Sequence, residues 1–200
     1  MAERSNLAFA LLASSFLLGA CGGSQPQPRA PEARASSTET SGETIRTPTG
    51  DVHDFDYLVG NWNVVRRRLK ERGVGSNDWE TYSGTTKSVA YLGGMVNVEE
   101  SESPGRGSGA TVNVFDLAKR QWSIYEINGK VGKLENPNVG GFTGNRGEFY
   151  GEDEDKGRPI KVRYIWTKSG PDTARWEQAF SYDGGRTWET NRTSDFTRAR

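Results

Sequence analysis

Between residues 160 and 180 the side chains alternate strictly. Ile160, Val162, Tyr164 and Trp166 fall on one face, with Lys161 and Arg163 on the other, and Ala174, Trp176 and Phe180 share a face opposite Arg175 and Glu177. A period of two is the mark of a strand with one buried and one wet side, and it excludes a helix. Short runs of the same kind recur from residue 62 onward, broken by Gly, Asn and Asp. They predict strands near 62–72, 80–92, 96–101, 110–116, 121–127, 140–143, 147–150, 159–167, 173–181 and 187–198. Asn128-Gly129 predicts a two-residue hairpin turn, since both residue types tolerate positive φ. No stretch shows convincing helical periodicity except a short helical or turn segment at 53–59. About ten antiparallel strands in about 150 residues favour closure into an all-β, up-and-down barrel, because closure removes exposed edges.

The aromatic mass is confined to that region. All six tryptophans and all seven tyrosines of the 200-residue chain follow Gly50. Residues 22–50 are rich in Pro, Ser, Thr and Gly, with no aromatic residue and Ile45 as the one large aliphatic. They read as a linker with a root-mean-square reach of roughly 30 Å. Pro26, Pro28 and Pro31 stiffen its first part. Ahead of it, residues 7–18 form an apolar stretch of signal-peptide length, interrupted by Ser14 and Ser15, and too short for a comfortable bilayer span. The expected organisation is therefore a signal peptide over 1–20, an anchor and linker over 21–50, and one folded domain over 51–200. Formal net charge is zero, which argues against an electrostatic nucleic-acid binder. One cysteine excludes an internal disulfide and a multi-cysteine metal site.

That cysteine stands at the end of Leu18-Gly19-Ala20-Cys21, which resembles the lipobox of bacterial lipoproteins. The resemblance implies cleavage before Cys21, lipid on its thiol, and a membrane as partner. The n-region departs from the pattern, because Glu3 stands beside Arg4. Gly22 is not Asp, which by the enterobacterial sorting rule favours the outer membrane, facing the periplasm, in a diderm organism. A second resemblance lies in Phe55-Asp56-Tyr57-Leu58-Val59-Gly60-Asn61-Trp62-Asn63-Val64. It is similar to the opening of lipocalin-like (calycin) domains, and more closely to uncharacterised bacterial lipocalin-like domains of unknown function. Those share a mid-chain Gly-Gly (here Gly93-Gly94) and a strand pair built on Phe115-Asp116 and Gln121-Trp122. The resemblance covers the chain from about His53 and implies a lipocalin-like barrel. In calycins the tryptophan after Gly60 plugs one barrel end beneath an arginine of the last strand, which implies Arg192 or Arg198 over Trp62.

The candidate site residues follow from the faces. Alternation puts Arg66 and Arg68 of the run Arg66-Arg67-Arg68 with Trp62 and Val64, Gln178 with Trp176 and Phe180, and Arg192 with Trp188 and Phe196. Inward arginines suit a wet lumen or a ligand with an acidic head; at a rim they would instead snorkel to water. Ser181-Tyr182-Asp183-Gly184-Gly185-Arg186-Thr187-Trp188 matches the Asp-box of sialidase-type propellers. One copy builds no propeller, so it reads as a structural hairpin, turned by Asp183 and Gly184 with Trp188 packed beneath.

His53, the only histidine, is expected at the surface, which makes a histidine-dependent triad improbable. The acidic run 152–155 lacks calcium-loop spacing and reads as a solvated hairpin loop. Glu99, Glu100 and Glu102 offer carboxylates without an identifiable acid/base partner. No metal and no cofactor is expected. The reading that follows is an envelope-tethered module binding a small apolar or amphipathic ligand in its barrel. An enzyme in the lumen, hydrolase or isomerase, and a structural or protein-interaction lipoprotein are the alternatives.

Overall fold

A computed structural model describes residues 47–200. Cys21, the signal-like segment and most of the linker lie outside the described residues. The strands are β1 (Gly60–Leu69), β2 (Trp79–Tyr91), β3 (Val96–Ser103), β4 (Gly107–Asp116), β5 (Gln121–Asn128), β6 (Lys133–Leu134), β7 (Asn138–Thr143), β8 (Arg146–Asp155), β9 (Arg158–Gly170), β10 (Thr173–Ser181) and β11 (Glu189–Arg198). Each main strand pairs antiparallel with its neighbours in sequence. β11 returns to β1 and β5 pairs with both β4 and β7, so ten strands close into an up-and-down barrel. The two-residue β6 adds only to the free half of β5.

One end is plugged by the segment before β1. A 3-10 helix (Asp56–Leu58) follows a turn there. Phe55 is buried among Trp122, Phe142, Phe149 and Trp166, with ring centroids 4.8, 5.2, 6.0 and 6.2 Å away. These rings come from β5, β7, β8 and β9, so one side chain ties four strands together. Trp62 is equally buried; its indole N–H donates to the Leu58 carbonyl at 2.6 Å. Arg198, not Arg192, covers it: the guanidinium carbon lies 4.0 Å from the ring centroid, and its nitrogens donate to the carbonyls of Val59 (2.7 Å) and Tyr57 (2.9 Å). The last strand thereby holds the plug as well as the tryptophan. Gly60, with φ of +122°, makes the backbone turn from plug to strand that a side chain would oppose.

Residues 47–50 are docked at the same end. The Gly50 amide donates to the Arg120 carbonyl at 2.8 Å, and the Gln121 amide reaches the Thr47 carbonyl at 3.3 Å. They lie so close to β7 that a Cβ on Gly141 would stand 2.5 Å from the Thr49 carbonyl carbon. Residues 47–50 thus form part of the closed end.

The expected strands 159–167 and 173–181 are found within β9 and β10, but three local expectations need correction. Asn128-Gly129 does not form a two-residue turn. Asn128 pairs with Lys133 as part of the sheet, its side chain accepts from the Lys130 amide at 2.9 Å, and the positive φ falls on Gly132; the side-chain cap favours a longer turn over the tight one. The acidic run 152–155 is strand, not loop: it closes β8, where Asp155 is buried and Glu152 pairs with Lys161 outside. Trp188 does not share a face with Arg192. The register slips between Gln178 and Ala179, leaving Asn191 as the extra residue of a bulge, and this inverts the phase ahead of it. Trp188 therefore rests on Tyr150 and Arg163 at the outer wall.

We expect Trp62→Ala to cost about 3–5 kcal/mol, the range for deleting a buried ring. Arg198→Ala should cost less than Trp62→Ala but more than loss of an exposed arginine, because two carbonyls lose their donor. Urea unfolding of the three proteins checks both statements; an Arg198→Ala protein as stable as the parent would show that the clamp does not hold the plug.

Candidate functional site

Above the plug the barrel is open, with a cavity of about 1050 Å³. Ten strands enclose more space than side chains alone fill. The cavity opens at the end carrying the β1–β2, β3–β4, β8–β9 and β10–β11 turns. Arg66, Arg68, Trp176, Gln178 and Arg192, the five residues singled out from the sequence, all line it.

Register explains why they meet. Trp176, Ser194, Arg66 and Tyr82 lie directly opposite one another across β10, β11, β1 and β2. The next row toward the mouth is Gln178, Arg192, Arg68 and Glu80 on the same strands. Two rows of inward side chains thus carry three arginines on adjacent strands. Arg66 is half-buried and donates to Thr86 Oγ1 (2.9 Å) and Ser103 Oγ (3.3 Å). Gly84 makes room for it, since a Cβ there would stand 2.4 Å from the guanidinium. Arg68 is exposed at the mouth and pairs with Glu80 at 3.3 Å, the snorkelling arrangement. Arg192 faces the lumen beside the Trp176 ring (5.8 Å) and near the Gln178 carbonyl (3.4 Å), with no ion pair among the described residues. Burial opposes its charge, but the Glu126 carboxylate and the Tyr82 and Tyr164 hydroxyls outweigh it and raise its pKa.

The opposite wall was not read from the sequence. Glu99, Thr111 and Glu126 form one row across β3, β4 and β5. Below it lie Asn97, Asn113, Ile124 and Asn138. The Asn113 amide donates to Glu99 (3.0 Å) and to Asn97 (3.2 Å), and Asn97 donates to Ser88 at 2.8 Å. Glu99 is 5% exposed and, like Arg192, forms no ion pair among the described residues. Burial pushes its carboxyl up to about 7. The Asn113 hydrogen bond opposes that rise, Glu126 adds to it and Arg66 moderates it. The signal for this wall was the phase of Phe115 and Trp122: counting by twos from those rings reaches Asn113, Thr111, Ile124 and Glu126.

At the mouth, Arg72 in the β1–β2 loop pairs with the buried Asp155 (2.6 Å), which also accepts from the Tyr182 hydroxyl at 2.8 Å. The Asp-box hairpin stands beside them. Asp183 accepts from the Thr187 hydroxyl (2.7 Å) and amide (2.9 Å) and from the Ser181 hydroxyl (2.7 Å). These bonds hold its carboxyl well below the usual range, and Gly184 and Gly185 supply the positive φ. This is a self-satisfied turn. His53 lies at the other end, on the surface, bonded to Asp56 at 2.8 Å. Among the described residues, no three His, Cys, Asp or Glu side chains are grouped to hold a metal ion.

No family model and no curated protein matches this chain. Among solved structures it is similar to Rv2717c from M. tuberculosis, with 12% identity and a TM-score of 0.50 over 76% of this chain and 99% of that one. What the two share is the fold. A protein of unknown function from the DUF3598 family of Nostoc punctiforme PCC 73102 matches with 11% identity and a TM-score of 0.45 over 76% of this chain; the match spans about half (51%) of the Nostoc chain. The likeness to Rv2717c supports the barrel fold alone and carries no activity across.

Glu99 makes stability depend on pH. Folding raises its value, so its ionised form disfavours the folded state. That penalty is absent below the ordinary carboxylate value, grows as pH rises from there to about 7, and is constant beyond. Relative to Glu99→Gln, the parent should lose on the order of 3 kcal/mol between pH 4 and pH 8, taking about 1.4 kcal/mol per pH unit. Denaturant midpoints at both pH values measure this; parallel pH profiles for the two proteins would refute it.

Proposed function

We propose that the barrel binds a small amphipathic molecule with an anionic head, and that it does so at the cell envelope, tethered through lipid on Cys21. The observation that carries the binding reading is Arg192. A guanidinium inside a protein is costly unless paired, and this one faces an open cavity with an aromatic ring and a side-chain amide beside it and no carboxylate in contact. The planar fork matches a carboxylate or a similar acid group. Arg66, one row deeper on the adjacent strand, adds a second positive charge. Trp176, Tyr164, Ile124, Val162 and Phe180, all on the cavity wall, offer the apolar surface for the rest of the molecule. A purely apolar ligand fits poorly, because it would strip water from these charges and return nothing. Residues 47–50 dock at the closed end, which would leave the mouth free on a tether attached through the preceding residues.

Glu99 favours a second reading, an enzyme. A carboxyl that exchanges its proton near neutrality can serve as general acid or base. Its hydrogen-bonded neighbour is Asn113, however, and no nucleophile or second acid/base group is bonded to it among the described residues. Binding is therefore the better supported role.

The anionic fluorophore 8-anilinonaphthalene-1-sulfonate tests the proposal. It should bind the full chain with saturable fluorescence gain and be displaced by octanoate. Arg192→Met should weaken it at least tenfold, and a cooperative thermal melt checks that the variant folds. Equal affinity of parent and variant would sink the assignment of the acid group to Arg192. Native mass spectrometry of protein purified from its host would then identify what co-purifies.

A further inference from the structure

The lumen is electrically divided. Arg66 and Arg192 stand on the adjacent strands β1 and β11, while Glu99 and Glu126 stand on β3 and β5, and β5 lies opposite β11 in the ring of ten. None of the four forms an ion pair among the described residues. Opposite charges left apart in one cavity attract a molecule that carries both. Resting on the binding reading above, we infer that the occupant is a zwitterion, with its acid group on the Arg66 and Arg192 side and a protonated amine between Glu99 and Glu126.

The chemistry of the acidic wall distinguishes an ammonium from other occupants. Besides the two carboxylates, of which Glu99 accepts a bond from Asn113, the wall holds two acceptors without a donor: the buried carbonyl oxygens of Asn113 and Asn138 have no hydrogen-bond partner among the described residues. Asn138 is 6% exposed and lines the cavity. Buried polar atoms without partners are rare in native proteins. An ammonium brings three donors and no acceptor, the complement of this set. A metal ion is the poorer match, because no third carboxylate, histidine or cysteine joins Glu99 and Glu126. The groups acting on Glu99 are Asn113 from β4, Glu126 from β5, Arg66 from β1 and the buried Tyr57 of the plug, whose own pKa burial and the Glu99 carboxylate raise. None of them brings a cation into contact. An amine supplies that charge, so Glu99 gives up its proton on binding.

Calorimetric titration of the full chain with octanoate, octylamine and 8-aminooctanoate tests this. At pH 8, 8-aminooctanoate should bind at least tenfold more tightly than either single-headed probe, and the advantage over octanoate should shrink at pH 6, where Glu99 holds its proton. Glu99→Gln should abolish the advantage of 8-aminooctanoate over octanoate at pH 8. Glu126→Gln, checked like its companion by thermal melting, should act in the same direction and stands in if the first variant fails to fold. Equal binding of octanoate and 8-aminooctanoate by the parent overturns the zwitterion while leaving the anionic-head reading intact. Failure of all three probes to bind overturns both.

Discussion

The seating of Phe55 among four rings is the contact on which the rest of the barrel depends. A ten-stranded barrel is too wide for its own inward side chains to meet across the middle. Without something in the axis, the walls at the closed end would face a void or water. Phe55 and Leu58 fill that axis, and Trp62 is fixed to the same short segment through the Leu58 carbonyl. Arg198 then binds the plug to the final strand, so closure of the ring and closure of the floor are one event. Most of the large rings are gathered there: Phe55, Trp62, Trp122, Phe142, Phe149, Trp166 and Phe196 belong to one cluster, which continues along the cavity wall through Ile124, Val162, Tyr164 and Phe180. This division of labour frees the other half of the barrel from having to be apolar.

The freed half inverts the usual arrangement on one side. Along β3, Asn97 and Glu99 face inward while Val96 and Val98 face out; along β4, Thr111 and Asn113 face inward while Val112 and Val114 face out. Across the sheet these valines align with Val89 and Tyr91 of β2, and Val112 with Tyr125 of β5. Hydrophobic area alone would favour the opposite phase for these two strands. A one-residue slip would bury the valines and expose the polar set. What prevents it is the pairing of Phe115 with Trp122, whose rings lie 5.1 Å apart inside the core and lock the phase of β4 and β5. The aromatic floor therefore dictates that the lumen above it is polar.

That same logic explains what was legible beforehand. Strands β9 and β10 were plain in the sequence because their inward sides are aromatic or aliphatic over most of their length. The plug was plain because Gly60 and Trp62 stand in a pattern that resembles other barrels of this shape. The arginine wall followed, since counting by twos from Trp62 or Trp176 reaches Arg66 and Gln178. The acidic wall did not follow, because Val-Asn-Val-Glu has a correct period and a misleading phase: read alone, it buries the valines. The inward position of Trp188 failed for a related reason. A bulge at Asn191 changes the count by one, and nothing in Glu-Thr-Asn-Arg announces a bulge. Periodicity reports the period locally, but its phase is set by distant pairing.

A lumen built this way is expensive to keep, which bears on its use. Glu99 and the unpartnered Asn113 and Asn138 oxygens each make folding less favourable than an apolar filling of the same space would. Structural duty does not account for them, because the plug and its rings already close the core, and β3 and β4 are held in register by main-chain pairing and by Phe115. At the mouth the Asp-box turn and the Arg72–Asp155 pair satisfy their charges within the chain, whereas Glu99 and Glu126, deeper in the same cavity, have no counter-ion among the described residues. Charges left without a counter-ion on a reachable wall suit a molecule that supplies one; on the proposed reading, the cations on one wall and the carboxylates on the other set which end of it goes where.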